Sequence, residues 1–149
     1  MDQFSDIEFP NSINDPFTKT SEETETYNCI AHAIGEDSVW YEPEDPVKYG
    51  SFWPDNIPKE YTEKAYIQLF VSLGFVPCDN GDLEDGFIKI AFLRSSEIED
   101  SWWSFHATRQ LGNGCWTSKL GEGVDTSHTL NCISNGKYGD VVKFFKKPK

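Results

Sequence analysis

The sequence predicts an α+β fold, with N-terminal helices packed on an antiparallel sheet. Three observations point to it. Apolar residues recur at helical spacing in two early stretches, 26–35 and 58–74, each closed by a glycine. The second half instead holds short runs rich in β-branched and aromatic residues, separated by turn formers. Helical stretches come first and a strand meander follows, which is the order of an α+β domain. A chain of 149 residues suits one domain with a single core. Its boundaries read as an irregular arm over 1–20 and one domain over 21–149.

In chain order, the arm carries Pro10, Asn11, Asn14, Asp15 and Pro16, with isolated Phe4, Ile7, Phe9 and Phe17 to tack it onto the body. Acidic residues over 21–25 complement a helix N-terminus and raise the pKa of any nearby thiol. In the first helix Ile30, Ala33 and Ile34 share a side, and Gly35 is the left-handed stop. Residues 35–58 are rich in turn formers and tryptophan, long for a mere connection, and either line a cleft or fold under as core. Pro58 suits the first position of the clearest helix, whose stripe is Ala65, Tyr66, Leu69, Phe70 and Leu73, with Gly74 at its end. An extended piece at Phe75, Val76 and Pro77 leads to a turn at 79–82. Strands are expected over 86–93 and 101–111, then Gly112-Asn113-Gly114 as a hairpin turn and a returning strand over 115–120. Residues 125–133 read as a short helix begun by Asp125 or Thr126, and 139–145 as a closing strand.

Composition narrows the function classes. Hydrophobic residues make up 38% and aromatics 15%, including five tryptophans and eleven phenylalanines, so a core or cleft of large rings is expected. The net charge is -12, from 25 acidic and 13 basic side chains, which repels phosphate backbones and argues against nucleic acid as a partner. It suits a basic partner, or plain solubility. The first residues show neither a basic n-region nor an apolar run, and no segment reaches the length of a membrane span. A cytoplasmic protein with no signal peptide and no membrane contact is therefore expected, with non-classical export left open. Cys29, Cys78, Cys115 and Cys132 are widely spaced, which reads as four reduced thiols.

The chemistry is expected around Cys29. A thiol in the first turn of a helix feels the positive end of the macrodipole, which favours the nucleophilic thiolate. His106, on the strand before the hairpin, is the candidate base. A third polar group orients such an imidazole. The hairpin brings Thr117, Ser118 and Lys119 within reach, alternation gives only one of the two hydroxyls to the histidine's face, and Asp125 is the stronger orienter chemically. Trp40 and Trp53 would wall a groove, with Arg109, Gln110 and Lys119 opposite to take a carboxylate on a peptide-like ligand, and Asn28 beside the thiol. Other readings stand beside these. Cys29 is also a natural small core residue. His32, one turn on, is a cleft or core histidine, and Asp125 and His128 are a helix cap and a residue facing the next turn. Cys29 and His32 with His106 or His128 have the ligand types of a zinc site, but beyond one C-x-x-H there is no tight ligand pair, so neither metal nor cofactor is expected.

A helix cysteine followed by a strand histidine, a short hairpin and a polar residue twelve positions on resembles the NlpC/P60 and CHAP branch of papain-like cysteine hydrolases. The resemblance implies Cys29 as nucleophile, His106 as base and Ser118 as orienter. Two positions depart from that pattern: Asn28 stands where a serine or aspartate usually precedes the nucleophile, and the orienter is a serine. A finer pattern is similar to an uncharacterised group of small bacterial domains. It comprises Asn28-Cys29-Ile30-Ala31, Trp53-Pro54, Gly74-Phe75-Val76-Pro77-Cys78, His106-Ala107-Thr108-Arg109-Gln110 and Trp116-Thr117-Ser118-Lys119-Leu120-Gly121, with Asp125 and His128. The reading that results is a thiol hydrolase or amidotransferase acting on an amide or isopeptide bond. Its rival is a non-catalytic interaction module, such as an inhibitor, immunity or toxin-neutralising protein.

Overall fold

A computed structural model describes residues 8–24, 26–36, 38–43, 51–95, 104–120 and 123–149. The fold is β-rich, which corrects the expected α+β, papain-like arrangement. A seven-stranded antiparallel sheet runs in the order β1 (Thr18–Lys19), β8 (Asp125–His128), β7 (Trp116–Lys119), β6 (Phe105–Gln110), β5 (Phe87–Arg94), β9 (Asp140–Pro148), β4 (Val76–Cys78). The helices are short: α1 (Cys29–Ala33), α2 (Glu63–Ser72) and α3 (Leu130–Ile133), with a 3-10 turn at Pro10–Ile13. No described helix is long and apolar enough to cross a membrane.

The physical reason lies in two segments. Residues 125–133 divide. Asp125–His128 pairs with β7 on one side and β1 on the other, so its backbone groups are satisfied in a ladder. Helix begins only at Leu130, where Thr129 caps by accepting from the Cys132 amide at 3.1 Å. The arm, in turn, is not wholly irregular, because Thr18 and Lys19 extend the sheet edge. In α2 the start also moves. Thr62, not Pro58, caps the helix, accepting from Ala65 N at 3.2 Å, while the Pro58 carbonyl takes the indole N–H of Trp53. Within 35–58, β2 (Trp40–Tyr41) and β3 (Ser51–Phe52) form a small parallel pair. Asp45 and Pro46 in that stretch, residues 101–103 at the start of the expected second strand, and Gly121 lie outside the described residues.

Alternation along the strands sorts side chains onto two faces. The first face carries Ile90, Phe92, Phe105, Ala107 and Phe145, packed with Ile30, Ala31 and Ala33 of α1 and Tyr66, Leu69 and Phe70 of α2. The second carries Ala91, Leu93 and Trp116, packed with Phe9, Phe17, Cys132, Ile133 and Tyr138. Each fully enclosed ring among these contributes about 1.5–3 kcal/mol by leaving water. Between Phe92 and Leu93 the β5–β9 register shifts, a bulge that lets Gly139 turn against β5 at φ 75°. A Cβ at Gly139 would lie 2.0 Å from the Arg94 carbonyl oxygen.

Candidate functional site

The expected thiol–imidazole pair does not meet. Cys29 opens α1 and packs on the first face, where the Ala107 backbone reaches its sulfur. His106 is the neighbour of Ala107 on β6, so its ring points to the second face, stacked on Tyr138 with centroids 3.9 Å apart. The physical reason is packing. Ala107 is the small residue that lets the helix approach β6, so the helix takes the Ala107 face and His106 takes the other. Nor does the helix end generate a thiolate. Desolvation by burial, with Glu42 adding to it and backbone contacts from Ala107 opposing, pushes the Cys29 thiol up to about 12.

Ser118 is the hydroxyl on the His106 face, 3.1 Å from its Nε2. The same Oγ lies 2.7 Å from His128 Nε2, and His128 Nδ1 lies 2.8 Å from the Thr129 carbonyl. Thr108 closes this buried polar chain, donating to the Thr117 carbonyl. Burial, with His128, His32 and Lys137 as lesser causes, holds His106 well below the usual imidazole range. Its Nδ1 is enclosed and accepts no hydrogen bond from the described residues. His128 faces Ser118 from β8 rather than a helical turn.

The residues expected to line a groove are buried or bonded within the chain. Trp40 and Trp53 are 7% and 6% exposed, and Trp53 stands edge-on to Tyr66. They belong to the interior, so the aromatic wall expected for a peptide-like ligand is not formed by them. The Asn28 side chain caps α1, accepting from Ala31 N at 3.0 Å and Tyr41 N at 3.2 Å, and donates to the Tyr41 carbonyl at 2.9 Å. Gln110 donates to the Gly81 carbonyl at 2.6 Å, on the face opposite the thiol. Arg109 donates to the His32 carbonyl at the end of α1. Lys119 donates to the Gly123 carbonyl and lies over the Tyr27 ring at 5.0 Å.

What the first face does assemble is a different constellation. Arg109 pairs in register with Thr117, and Lys119 with Asp125, so all four side chains share the α1 face. His32 reaches into them from α1. Its Nε2 is 2.9 Å from Thr117 Oγ1, and its Nδ1 is 3.8 Å from Asp125 Oδ2. Tyr27 donates to that same oxygen at 2.6 Å and stacks on the imidazole. Asp125 therefore stands beside the ring of His32 and not that of His106. Its Oδ1 is enclosed and accepts no hydrogen bond from the described residues. Burial lowers the His32 pKa below 6.5, Asp125 opposes this, and Arg109 and Lys119 reinforce it. At 3.8 Å the Nδ1–carboxylate separation exceeds a hydrogen bond, and a neutral ring protonated on Nδ1 is the tautomer that would accept the threonine hydroxyl at Nε2. The side chains of His32 and Asp125 keep 13% and 12% of their surface, while Thr117 and Lys119 are buried at 5% and 0%, so the group meets solvent through His32 and Asp125.

The sequence alone reads His32 as a cleft or core histidine and leaves open which of Thr117 and Ser118 shares a histidine's face. A parity signal was available. Phe105 and Ala107 are apolar while His106, Thr108 and Gln110 are polar, so an apolar helix face meets the odd positions, and those continue through Arg109 into Thr117 and Lys119.

A family profile described as a domain of unknown function (DUF7689) matches residues 18–146. No curated protein matches the chain, and no solved structure does. The match carries the likeness to an uncharacterised family and not the one to papain-like hydrolases. It extends from β1 almost to the end of β9, and so takes in every residue of the constellation; the chain belongs to the DUF7689 family of domains of unknown function.

Proposed function

We propose that the domain hydrolyses an amide or isopeptide bond with a hydroxyl, Thr117, as nucleophile, His32 as base and Asp125 as the orienting carboxylate. One arrangement supports this reading: Thr117 Oγ1 at 2.9 Å from one nitrogen of a neutral imidazole whose other nitrogen faces Asp125 at 3.8 Å. Thr117 Oγ1 attacks the carbonyl carbon while its proton passes to His32 Nε2. The imidazolium so formed faces Asp125, and the positive field of Arg109 and Lys119, which disfavours charge on the ring, favours the developing oxyanion. Collapse expels the amine, which takes the proton from Nε2. Water then attacks the threonyl ester, its proton taken by Nε2, and collapse breaks the ester bond, returns that proton to Thr117 Oγ1 and releases the acid. Initial rates on activated esters and peptide anilides test this. Thr117→Ala and His32→Gln should each lower turnover by about 10²–10⁴-fold in a folded chain. Undiminished turnover in Thr117→Ala would sink the reading.

A second reading, the non-catalytic interaction module, has its own observation. Asn28, Gln110, Arg109 and Lys119 all bond to main-chain groups of the same chain, as residues that hold a fold together do. A folded wild-type chain without turnover on any of these substrates favours it.

A further inference from the structure

Residues 8–21 join the buried histidine pair to the backbone of Asp125. Phe17 stands edge-on to His128, centroids 5.3 Å apart at 69°. Phe9 rests on Tyr138 at 5.6 Å, and Tyr138 is the ring stacked on His106. Between these anchors the Asp15 carboxylate accepts from Thr129 Oγ1 and, at 3.1 Å, from Asn131 Nδ2. Past Phe17 the same segment becomes β1, with Thr18 opposite Ser127 and Lys19 opposite Thr126. It ends on Asp125 itself: Thr20 N donates to the Asp125 carbonyl at 2.8 Å, and Asp125 N donates to Ser21 Oγ at 2.9 Å.

The hydrogen bonds under this segment have one polarity. His128 Nδ1 donates to the Thr129 carbonyl, so in the neutral ring Nε2 is an acceptor. Ser118 must then donate to it, and its oxygen accepts the Nε2 proton of His106. A proton added at His128 Nε2 turns that acceptor into a donor. Ser118 Oγ would then face two N–H groups, and its own hydrogen would need a new acceptor. The groups facing His128 are His106 and Thr108 on β6, Ser118 on β7 and Thr129 before α3, while Lys137, which pairs with Glu8 at 3.5 Å, acts on His106. From the arm itself comes Asp15, whose negative charge favours a charged ring. Burial outweighs it and keeps His128 below the usual imidazole range. Water relieves a charged ring, and Phe17, edge-on to His128, is the arm's ring that covers it.

We propose that residues 8–21 form a proton-triggered clasp, in which charging of His128 lifts Phe17 and β1 from the sheet and loosens the backbone that seats Asp125 against His32. The effect on turnover rests on the functional reading above; the opening itself does not. Hydrogen exchange on the full chain, expressed as protection factors so that the intrinsic pH dependence cancels, tests it at about pH 7.5 and about pH 5. Amides over 17–21 and 125–127 should lose about tenfold protection or more at the lower pH while β5 and β9 keep theirs. Unchanged protection of the arm, or loss across β5 and β9 at the same time, would overturn the clasp. In His128→Gln, which cannot charge, the pH-dependent opening should vanish, and its persistence would overturn the trigger. Should that variant not fold, proton NMR of the wild-type chain decides: the His128 ring must titrate with the same midpoint as the opening. Opening of the arm in a chain without turnover keeps the clasp and removes the hydrolase. Turnover lost on acidification with the arm still closed does the reverse.

Discussion

The Cys29 thiol and the His106 imidazole lie on opposite faces of one sheet, with strand β6 between them. The separation turns on one residue of parity: Ala107 meets the thiol, and its neighbour His106 meets Tyr138. A pair that fits well by residue type and chain order is thereby divided into a packing thiol and a neutral ring in a buried hydrogen-bond chain.

The first prediction concerns reactivity. With its thiol pushed up to about 12, Cys29 holds almost no thiolate near neutral pH. Cys29, Cys78 and Cys115 are all partly exposed, so the raised pKa alone sets Cys29 apart, and Cys132 is buried with its thiol also pushed up to about 12. Iodoacetamide at pH ~7 should therefore label Cys78 and Cys115 well before Cys29 or Cys132. Selective labelling of Cys29, read by peptide mass spectrometry, would restore the thiol as a nucleophile.

Trp53 gives the second. It is buried, stands edge-on to Tyr66 at 5.4 Å, and donates to the Pro58 carbonyl at 3.0 Å. Trp53→Ala should lower unfolding stability by about 3–5 kcal/mol in denaturant titration, because a large cavity opens beneath α2. A loss under about 1 kcal/mol would mean that the ring lies at the surface after all.

Much of the meander was legible in the sequence, because period-two patterning and glycine turns are local signals. The strands at 87–94, 105–110 and 116–119 and the stop at Gly35 follow from them. Three things were not legible for one reason, that each is decided by a distant partner. Asp125–His128 has the caps and polarity of a helix start, yet β7 and β1 offer it two ladders. Thr18 and Lys19 carry no strand signal of their own and are recruited by β8. The site suffered likewise. Polar types at 106, 117, 118 and 125 were readable, but which of them share a face depended on where α1 packs, and Ala107 decided that.

The third prediction is the pH dependence of stability. Burial holds His106 and His128 below the ordinary imidazole value in the folded chain. The unfolded chain, with a pKa of about 6.5, then binds more protons than the folded one in the acid range, so the stability from these rings is fully present above about pH 6.5 and declines as pH falls. His106→Gln removes one titrating ring and should flatten the stability profile between about pH 6.5 and 5, measured by denaturant midpoints. A profile as steep as that of the wild type would assign the acid loss to carboxylates instead.

The last prediction tests the base directly. A general base must be neutral to accept the Thr117 proton, so turnover should rise with pH and level off above the His32 pKa. That pKa is lowered, first by burial, so the acid limb should fall below the usual imidazole value of about 6.5. Its neighbours shift it in opposite senses. Asp125 raises it, so Asp125→Asn should move the limb to lower pH, and it should also slow the reaction, because the imidazolium loses its carboxylate. Arg109 lowers it, so Arg109→Gln should move the limb to higher pH. The proton NMR titration of the His32 ring reads the same shifts without reference to turnover. Limb and ring should move together in both variants, in opposite directions. If the ring shifts as stated while the rate profile stays fixed, His32 titrates beside the reaction without serving it, and the base lies elsewhere. If neither moves, Asp125 and Arg109 do not act on the ring at the distances seen, and the constellation of His32, Thr117 and Asp125 is a clamp that docks α1 to the sheet.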